Sequence, residues 1–175
     1  MLNDKSLDNR DKGTLKSAYF AGGCFWGVEY FFEKLEGVES AISGYMGGEL
    51  ENPTYKEICT GMTGHLEVVQ VNYDENIVSF EELTKLFFEI HDPTQTNGQG
   101  PDIGSQYLSA IFYNDESEKQ SIVNLIDILQ AKGYDVATQL IEKKDIPFYE
   151  AEDYHQDYYF VHNKVPYCHS YVKRF

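Results

Sequence analysis

The sequence predicts an α+β protein built as a two-layer sandwich, in which helices cover one face of a mixed sheet. Three observations carry this prediction. Segments with apolar residues at every second position, typical of strands, are interspersed with segments whose apolar residues recur at three- and four-residue steps, typical of helices. Most connections are short, and there is no internal repeat. The resulting order, β-α-β-β-β-α-β-α-β, favours mixed strand pairing with the helices on one side.

The composition is that of a globular chain with an acidic surface. The 175 residues suffice for one domain with one core, and 42% of them are apolar. Fourteen basic residues stand against 29 acidic ones, a net charge of −15 that excludes a basic nucleic-acid-binding surface. No apolar run is long enough for a transmembrane helix or resembles a secretory signal. Residues 1–16 are predicted to form a flexible N-terminal arm, and residues 17–175 a single domain.

The first half of the chain carries the stronger periodicities. A short strand over 18–21 precedes a helix with one apolar face, and Gly37 stands where that helix is expected to end. Ser79 and Glu82 have the spacing of a capping box, which predicts the start of a second helix that runs to residue 92. Further strands are predicted over 38–45, 55–59 and 65–73.

The second half begins with a long loop over 92–106, rich in glycine, proline and asparagine. Loops of this length in compact domains are usually functional or disordered. A strand over 107–113, a third helix capped by Asn114 or Asp115, and a strand over 136–142 follow. Residues 147–159 are aromatic and acidic and predict a short helix, whereas the tail over 161–175 is expected to be irregular and mobile.

One cysteine lies where the first strand meets the first helix. The two glycines before Cys24 allow a tight turn that a Cβ would obstruct. The thiol is therefore predicted in the first turn of a helix, where free N–H groups and the helix dipole favour a thiolate. Phe25 and Trp26 follow directly and offer an apolar wall beside this nucleophile.

A carboxyl in the clearest strand is the second candidate for chemistry. Alternation places Glu67 on the same face as Val69, Val71 and Tyr73. A carboxyl among apolar neighbours is expected to have a raised pKa and to keep its proton near neutrality. That is the state in which a carboxyl can act as a general acid.

Three motifs in a fixed order indicate a family. Cys24-Phe25-Trp26 is followed by Gly-His-Leu-Glu-Val at 64–68 and by Tyr-His-Gln-Asp-Tyr at 154–158. Together they resemble the peptide methionine sulfoxide reductase A family, which reduces the S-epimer of methionine sulfoxide, and the resemblance covers about residues 18–168. It implies a ferredoxin-like core with an irregular C-terminal tail, no cofactor, and a single catalytic domain over 17–175. It also implies a role in protein repair and oxidative-stress defence.

The resemblance assigns roles to individual residues. Cys24 matches the nucleophile, Glu67 the proton donor to the sulfoxide oxygen, and Trp26 the methyl pocket, with Phe25 beside it. Tyr55 and Tyr107, each predicted at the start of a strand, match the residues that bind the oxygen. Asp102 matches an acidic residue that helps to hold substrate and water, and His155 lies in a motif where a structural role is expected.

Recycling of the enzyme is expected to use a second cysteine. Reduction leaves a sulfenic acid on Cys24, and Cys168 resembles the resolving cysteine of the family. The match is imperfect, because the chain reads Asn-Lys-Val-Pro-Tyr-Cys at 163–168, without the family's glycine, and ends before any further cysteine. Direct reduction of the sulfenic acid by an external thiol is the alternative. Cys59, in a predicted strand, is interpreted as a packing residue.

The expected partners follow from the same resemblance. They are methionine sulfoxide, free or in oxidised proteins, and thioredoxin or another thiol reductant. A cytoplasmic monomer without metal, nucleic acid or membrane partner is predicted, since three unpaired cysteines fit a reducing compartment. The principal alternative is a cysteine-dependent acyl-transfer hydrolase with His65 or His155 as its base, which would need that histidine within hydrogen-bond reach of Cys24.

Overall fold

The computed structural model describes residues 15–175 and is organised around a six-stranded sheet. Its strands are β1 (Leu15–Gly22), β2 (Val38–Met46), β3 (Leu66–Asp74), β6 (Ser109–Tyr113), β7 (Gln139–Glu142) and β8 (Phe148–Glu150), and the loop before β6 holds a separate two-stranded ribbon of β4 (Gly98–Gln99) and β5 (Asp102–Ile103). The six strands lie in the order β7-β6-β1-β3-β2-β8. Only β6 and β7 pair in parallel within this sheet. The sheet is therefore mixed, as the sequence predicts.

The helices gather on one face of the sheet. They are α1 (Phe25–Glu33), α2 (Tyr55–Ile58), α3 (Phe80–Ile90), α4 (Glu116–Ala131) and α5 (Tyr158–Val161). Alternate residues of the central strand β3 divide between the two faces: Val69 and Val71 pack with α1, α3 and α4, whereas Leu66 and Val68 belong to a smaller apolar cluster on the other face. This arrangement confirms the predicted α+β two-layer fold.

Local sequence signals fix several helix starts. The capping box of Ser79 and Glu82 is formed, with the Ser79 hydroxyl accepting from the Glu82 N–H at 3.1 Å. Asp115 caps α4 by accepting from the Glu118 N–H at 2.8 Å. Each side chain satisfies an N–H that the helix itself leaves without a partner.

Two predicted elements are wrong. Residues 55–58 form helix α2 rather than a strand, because Thr54 and Glu57 make a capping box of their own. The helix predicted over 147–159 is interrupted, since Phe148–Glu150 adds to the sheet edge as β8 and pairs with β2. Cross-strand pairing outweighs local pattern at this edge.

The C-terminal tail is irregular, as predicted, but it is anchored rather than loose. After Val161 it contains no helix or strand. Val172 donates its N–H to the Glu89 carbonyl at 2.7 Å, and the Arg174 guanidinium donates to the Phe88 carbonyl at 2.9 Å. These bonds hold the tail against the end of α3. The predicted N-terminal arm lies outside the described residues up to position 14, and Leu15 already pairs with Asp74 in the sheet.

Candidate active site

Cys24 lies at the N-terminal end of α1, where β1 turns into the helix. Gly23 has φ +93°, and a Cβ there would come within 2.5 Å of the Gln99 side chain. Only glycine meets both conditions, which explains the residue before the cysteine. Cys24 itself is the N-cap of α1 and is buried. The turn therefore holds the thiol inside the protein at the junction of sheet and helix.

The electrostatic state of Cys24 differs from the expectation. A hydrogen bond with Cys168, together with burial and the charge of Asp102, raises the pKa of the Cys24 thiol, and only the Trp26 N–H acts in the opposite direction. The predicted effect of the helix start is thus present but outweighed. In this substrate-free arrangement the thiol keeps its proton.

Glu67 lies close to Cys24 on strand β3, which is the neighbour of β1 in the sheet. It is 1% exposed, and its Oε1 accepts the Phe25 N–H at 3.2 Å. Its other oxygen, Oε2, is buried and has no hydrogen-bond partner within residues 15–175. Burial, followed by the charges of Cys24 and Asp102, raises the pKa of Glu67 well above its ordinary value, against the opposing Phe25 N–H. The carboxyl is therefore protonated near neutrality, with a hydrogen to donate to a ligand.

Two phenols approach Glu67 from separate segments. Tyr55 opens α2, and Tyr107 ends a 3₁₀ turn over Ser105–Tyr107 just before β6, so neither residue starts a strand as predicted. Burial raises the pKa of both phenols, and the charge of Glu67 adds to the effect at each. Both are neutral hydroxyls, able to donate a hydrogen bond beside the carboxyl.

An aromatic stack fixes the indole of Trp26. Its ring lies parallel to that of Tyr158, with centroids 3.6 Å apart and 6° between the planes. Its Nε1–H donates to His155 Nδ1 at 3.0 Å. His155 is fully buried, so the role that the structure gives it is to position Trp26, as the family motif suggests. Phe25, by contrast, points into the core, 5.7 Å from the Tyr45 ring.

The tail brings a second thiol to the first. The Sγ atoms of Cys24 and Cys168 and a carboxylate oxygen of Asp102 all lie within 4.8 Å of one another. Tyr167 donates its hydroxyl to Asp102 at 3.2 Å, which ties the tail to the loop that carries β5. This arrangement places the two thiols within reach of a disulfide and beside a carboxylate.

The structure also adds a residue that sequence reasoning left without a role. His169 is buried although its neighbours in the tail are exposed, and its ring fills the space over Gly27, where a Cβ would overlap it. Its Nδ1 lies 3.1 Å from Cys168 Sγ. The only signal in the sequence is its position directly after Cys168.

Cys59 and His65 differ in their relation to this arrangement, because the Cys59 side chain hydrogen-bonds with Tyr55 whereas His65 is held by other contacts. Cys59 is exposed at the end of α2, so its interpretation as a packing residue in a strand is wrong. His65 uses Nδ1 for the Gly48 N–H at 3.0 Å and Nε2 for the Leu50 carbonyl at 2.7 Å. Within residues 15–175, His155 is hydrogen-bonded only through Nδ1, to Trp26. Neither histidine is hydrogen-bonded to Cys24 in this part of the chain, so the hydrolase alternative lacks the base that it needs.

A buried thiol beside a protonated carboxyl, with a second thiol in reach, is typical of a thiol-dependent oxidoreductase. Comparison with known proteins identifies the family within this class of enzymes. The sequence model of the family described as peptide methionine sulfoxide reductase matches residues 16–175. The chain belongs to this family, and its activity is the thiol-dependent reduction of methionine sulfoxide.

The individual relatives agree with this assignment. The chain is 47% identical over 154 residues to peptide methionine sulfoxide reductase MsrA of Nautilia profundicola, covering 88% of each chain. It is 50% identical over 155 residues to the MsrA of Ruthia magnifica, covering 88% of this chain and 91% of that one. Reduced Mxr1 of Saccharomyces cerevisiae superposes with a TM-score of 0.84 at 34% identity, covering 94% of this chain and 95% of Mxr1.

Proposed function

We propose that the buried site reduces the S-epimer of methionine sulfoxide, with Cys24 as nucleophile and Glu67 as proton donor. The observation that carries this proposal is the Glu67 carboxyl. It is protonated beside a thiol, one oxygen is held by the Phe25 N–H, and the other has no partner among the described residues. A sulfoxide oxygen bound to Oε2 would satisfy that orphaned group and receive its proton as the S–O bond breaks.

The surrounding residues supply the other requirements of the reaction. The hydroxyls of Tyr55 and Tyr107 donate to the sulfoxide oxygen, whereas Asp102 holds substrate and water. Trp26, fixed by His155 and Tyr158, offers an aromatic face to the S-methyl group, whose carbon carries partial positive charge. Phe25 lies on the core side of this aromatic face.

The reaction then takes place in two steps, after which an external reductant regenerates the enzyme. The Cys24 sulfur attacks the sulfoxide sulfur, the oxygen is transferred, and methionine leaves while Cys24 becomes a sulfenic acid. Cys168 attacks that sulfenic acid, which forms a Cys24–Cys168 disulfide and releases water. An external dithiol reduces the disulfide. A solved structure of Mxr1 in complex with Trx2, 25% identical to this chain with a TM-score of 0.60, supports thioredoxin in that role.

The same proposal covers the setting in which the enzyme works. We infer a single catalytic domain over 17–175 that acts as a cytoplasmic monomer on free and protein-bound methionine sulfoxide, in protein repair and defence against oxidative stress. Within residues 15–175, none of the helices is long and apolar enough to cross a membrane.

The test uses separated sulfoxide epimers, first with dithiothreitol and then with thioredoxin. The S-epimer is expected to be consumed with either reductant and the R-epimer with neither. Cys24→Ser should abolish turnover while keeping the fold. Glu67→Gln should slow sulfenic acid formation by on the order of a hundredfold or more, because the amide donates a hydrogen bond but has no acidic proton. Consumption of the R-epimer, or an unchanged single-turnover rate in Glu67→Gln, would contradict the proposal.

A further inference from the structure

The protonation state of the His169 ring is fixed by its contacts. His169 Nε2 lies 2.6 Å from the Gly22 carbonyl oxygen, which can only accept a hydrogen bond. Nε2 therefore carries the ring hydrogen, and in the neutral imidazole Nδ1 is left with a free lone pair. Since Nδ1 lies 3.1 Å from Cys168 Sγ, the thiol donates its hydrogen to this nitrogen. The contact has the direction that removal of the thiol proton requires.

Rigid packing keeps this contact in place. The Gly22 carbonyl belongs to the last residue of β1, and Gly27 lies in the first turn of α1, so both walls around the ring are regular structure. Besides Cys168 itself, the titratable groups that face His169 are Asp102 of β5 and His91 at the end of α3. Burial lowers the pKa of His91 to about 3, so His91 stays neutral.

Two opposing influences act on His169 itself. Burial lowers the pKa of His169, so the ring is neutral and able to accept a proton near pH 7. The Gly22 carbonyl and the charge of Asp102 act the other way and stabilise the imidazolium once it forms. A base that holds a proton only transiently must be neutral at rest and stabilised once it is protonated.

We propose that His169 is the general base of the disulfide-forming step, taking the proton from Cys168 as its sulfur attacks Cys24. The inference deepens the proposed function and rests on Cys168 being the resolving cysteine. His169 Nδ1 accepts the thiol proton, the Cys168 sulfur bonds to the Cys24 sulfur, and the S–O bond of the sulfenic acid breaks. The imidazolium passes that proton, directly or through solvent, to the departing hydroxide, which leaves as water. In sum, one thiol and one sulfenic acid become one disulfide and one water.

The competing explanation is that His169 only anchors the tail through Gly22. The two explanations differ in their pH dependence, because an unassisted thiol must ionise by itself. The thiolate fraction of an ordinary cysteine, with a pKa of about 8.5, falls about fiftyfold between pH 8.5 and pH 6.5. A thiol with an adjacent neutral imidazole escapes that loss until the imidazole itself is protonated.

The first experiment uses the unmodified protein. Reduced enzyme is mixed with one equivalent of methionine S-sulfoxide without reductant, and methionine release and thiol loss are followed by rapid quench. The rate of loss of the second thiol is expected to change by less than about threefold between pH 8.5 and pH 6.5. A fall approaching fiftyfold, with methionine release unaffected, would overturn the inference without touching the proposed function. Failure to release methionine would instead overturn the proposed function.

The second experiment distinguishes a role of His169 as general base from a role as an anchor of the tail. In His169→Gln the amide can still donate to Gly22, but it offers no basic nitrogen, and His162→Gln, which changes an exposed histidine of the same tail, is the matched control. His169→Gln should release methionine normally, lose the second thiol at least tenfold more slowly at pH 6.5, and recover as the pH rises to 8.5. A wild-type rate at pH 6.5, or equal slowing at every pH, would show an anchor only. If the variant releases no methionine, the wild-type pH profile decides alone.

Discussion

A carboxyl far from the reacting sulfur offers the sharpest test of the electrostatics. Glu29 projects from α1, is 1% exposed and accepts the Asp157 N–H at 2.6 Å, while the Ser43 hydroxyl donates to its second oxygen. Asp157 begins the segment that supplies Tyr158 to the Trp26 stack. Burial first, and then the side chain of Asp157, raise the pKa of Glu29 to about 8, although the bonds from Ser43 and the Asp157 N–H oppose the shift.

The raised value has a defined consequence for stability. Because the folded-state pKa exceeds the ordinary value of 4.5, the folded protein keeps a proton that the unfolded chain has already lost. The contribution of this carboxyl is fully present below pH 4.5 and is lost as the pH rises to about 8. At about 1.36 kcal/mol per pH unit, the upper bound of the loss is roughly 5 kcal/mol, and relaxation around Asp157 reduces it.

Glu29→Gln tests this reasoning, because the amide resembles the protonated carboxyl and does not titrate. Urea unfolding of reduced protein should show the variant about 2–5 kcal/mol more stable than the wild type at pH 8, and within about 1 kcal/mol of it at pH 4.5. The control is Glu39→Gln, which makes the same substitution at an exposed carboxyl of β2. A constant difference for Glu29→Gln across this range would refute the assignment.

Three further predictions concern the site itself. Cys168→Ser should release one methionine per chain yet lose turnover with thioredoxin. The control, Cys59→Ser at an exposed position, should keep turnover with thioredoxin. Normal turnover of Cys168→Ser would indicate a one-cysteine enzyme. Gly27→Ala should displace His169 and slow disulfide formation at least tenfold, as measured by thiol counting after one turnover, and an unchanged rate would mean that the helix shifts to accommodate the methyl group. Trp26 fluorescence should respond to saturating dimethyl sulfoxide and to oxidation of Cys24, and an unchanged spectrum would remove this residue from the methyl pocket.

The sequence alone carried information wherever the physical cause is local. The glycines before Cys24 and the capping box at Ser79 act within a few residues, so the turn and the start of α3 could be predicted from spacing alone. Alternation in β3 placed Glu67 on the same face as its apolar neighbours, because a period of two is a property of the strand itself. Thr54 and Glu57 have the same capping-box spacing, so the start of α2 is also encoded locally, and the strand predicted over these residues is wrong.

Other features depend on segments that meet only in the folded chain. The edge strand β8 forms because β2 offers it an unpaired edge, which local pattern does not reveal. The proton on Cys24 is decided mainly by the hydrogen bond with Cys168, 144 residues away along the chain, and by burial. Asp102, 78 residues away, adds a smaller effect, and together these influences outweigh the helix start. The tail has no periodicity, yet it is ordered by single contacts to Glu89, Gly22 and Asp102. The sequence thus determined which groups are available for chemistry, whereas the tertiary structure decided their charge states and which thiol lies beside which base, because both depend on burial and on neighbours distant in sequence.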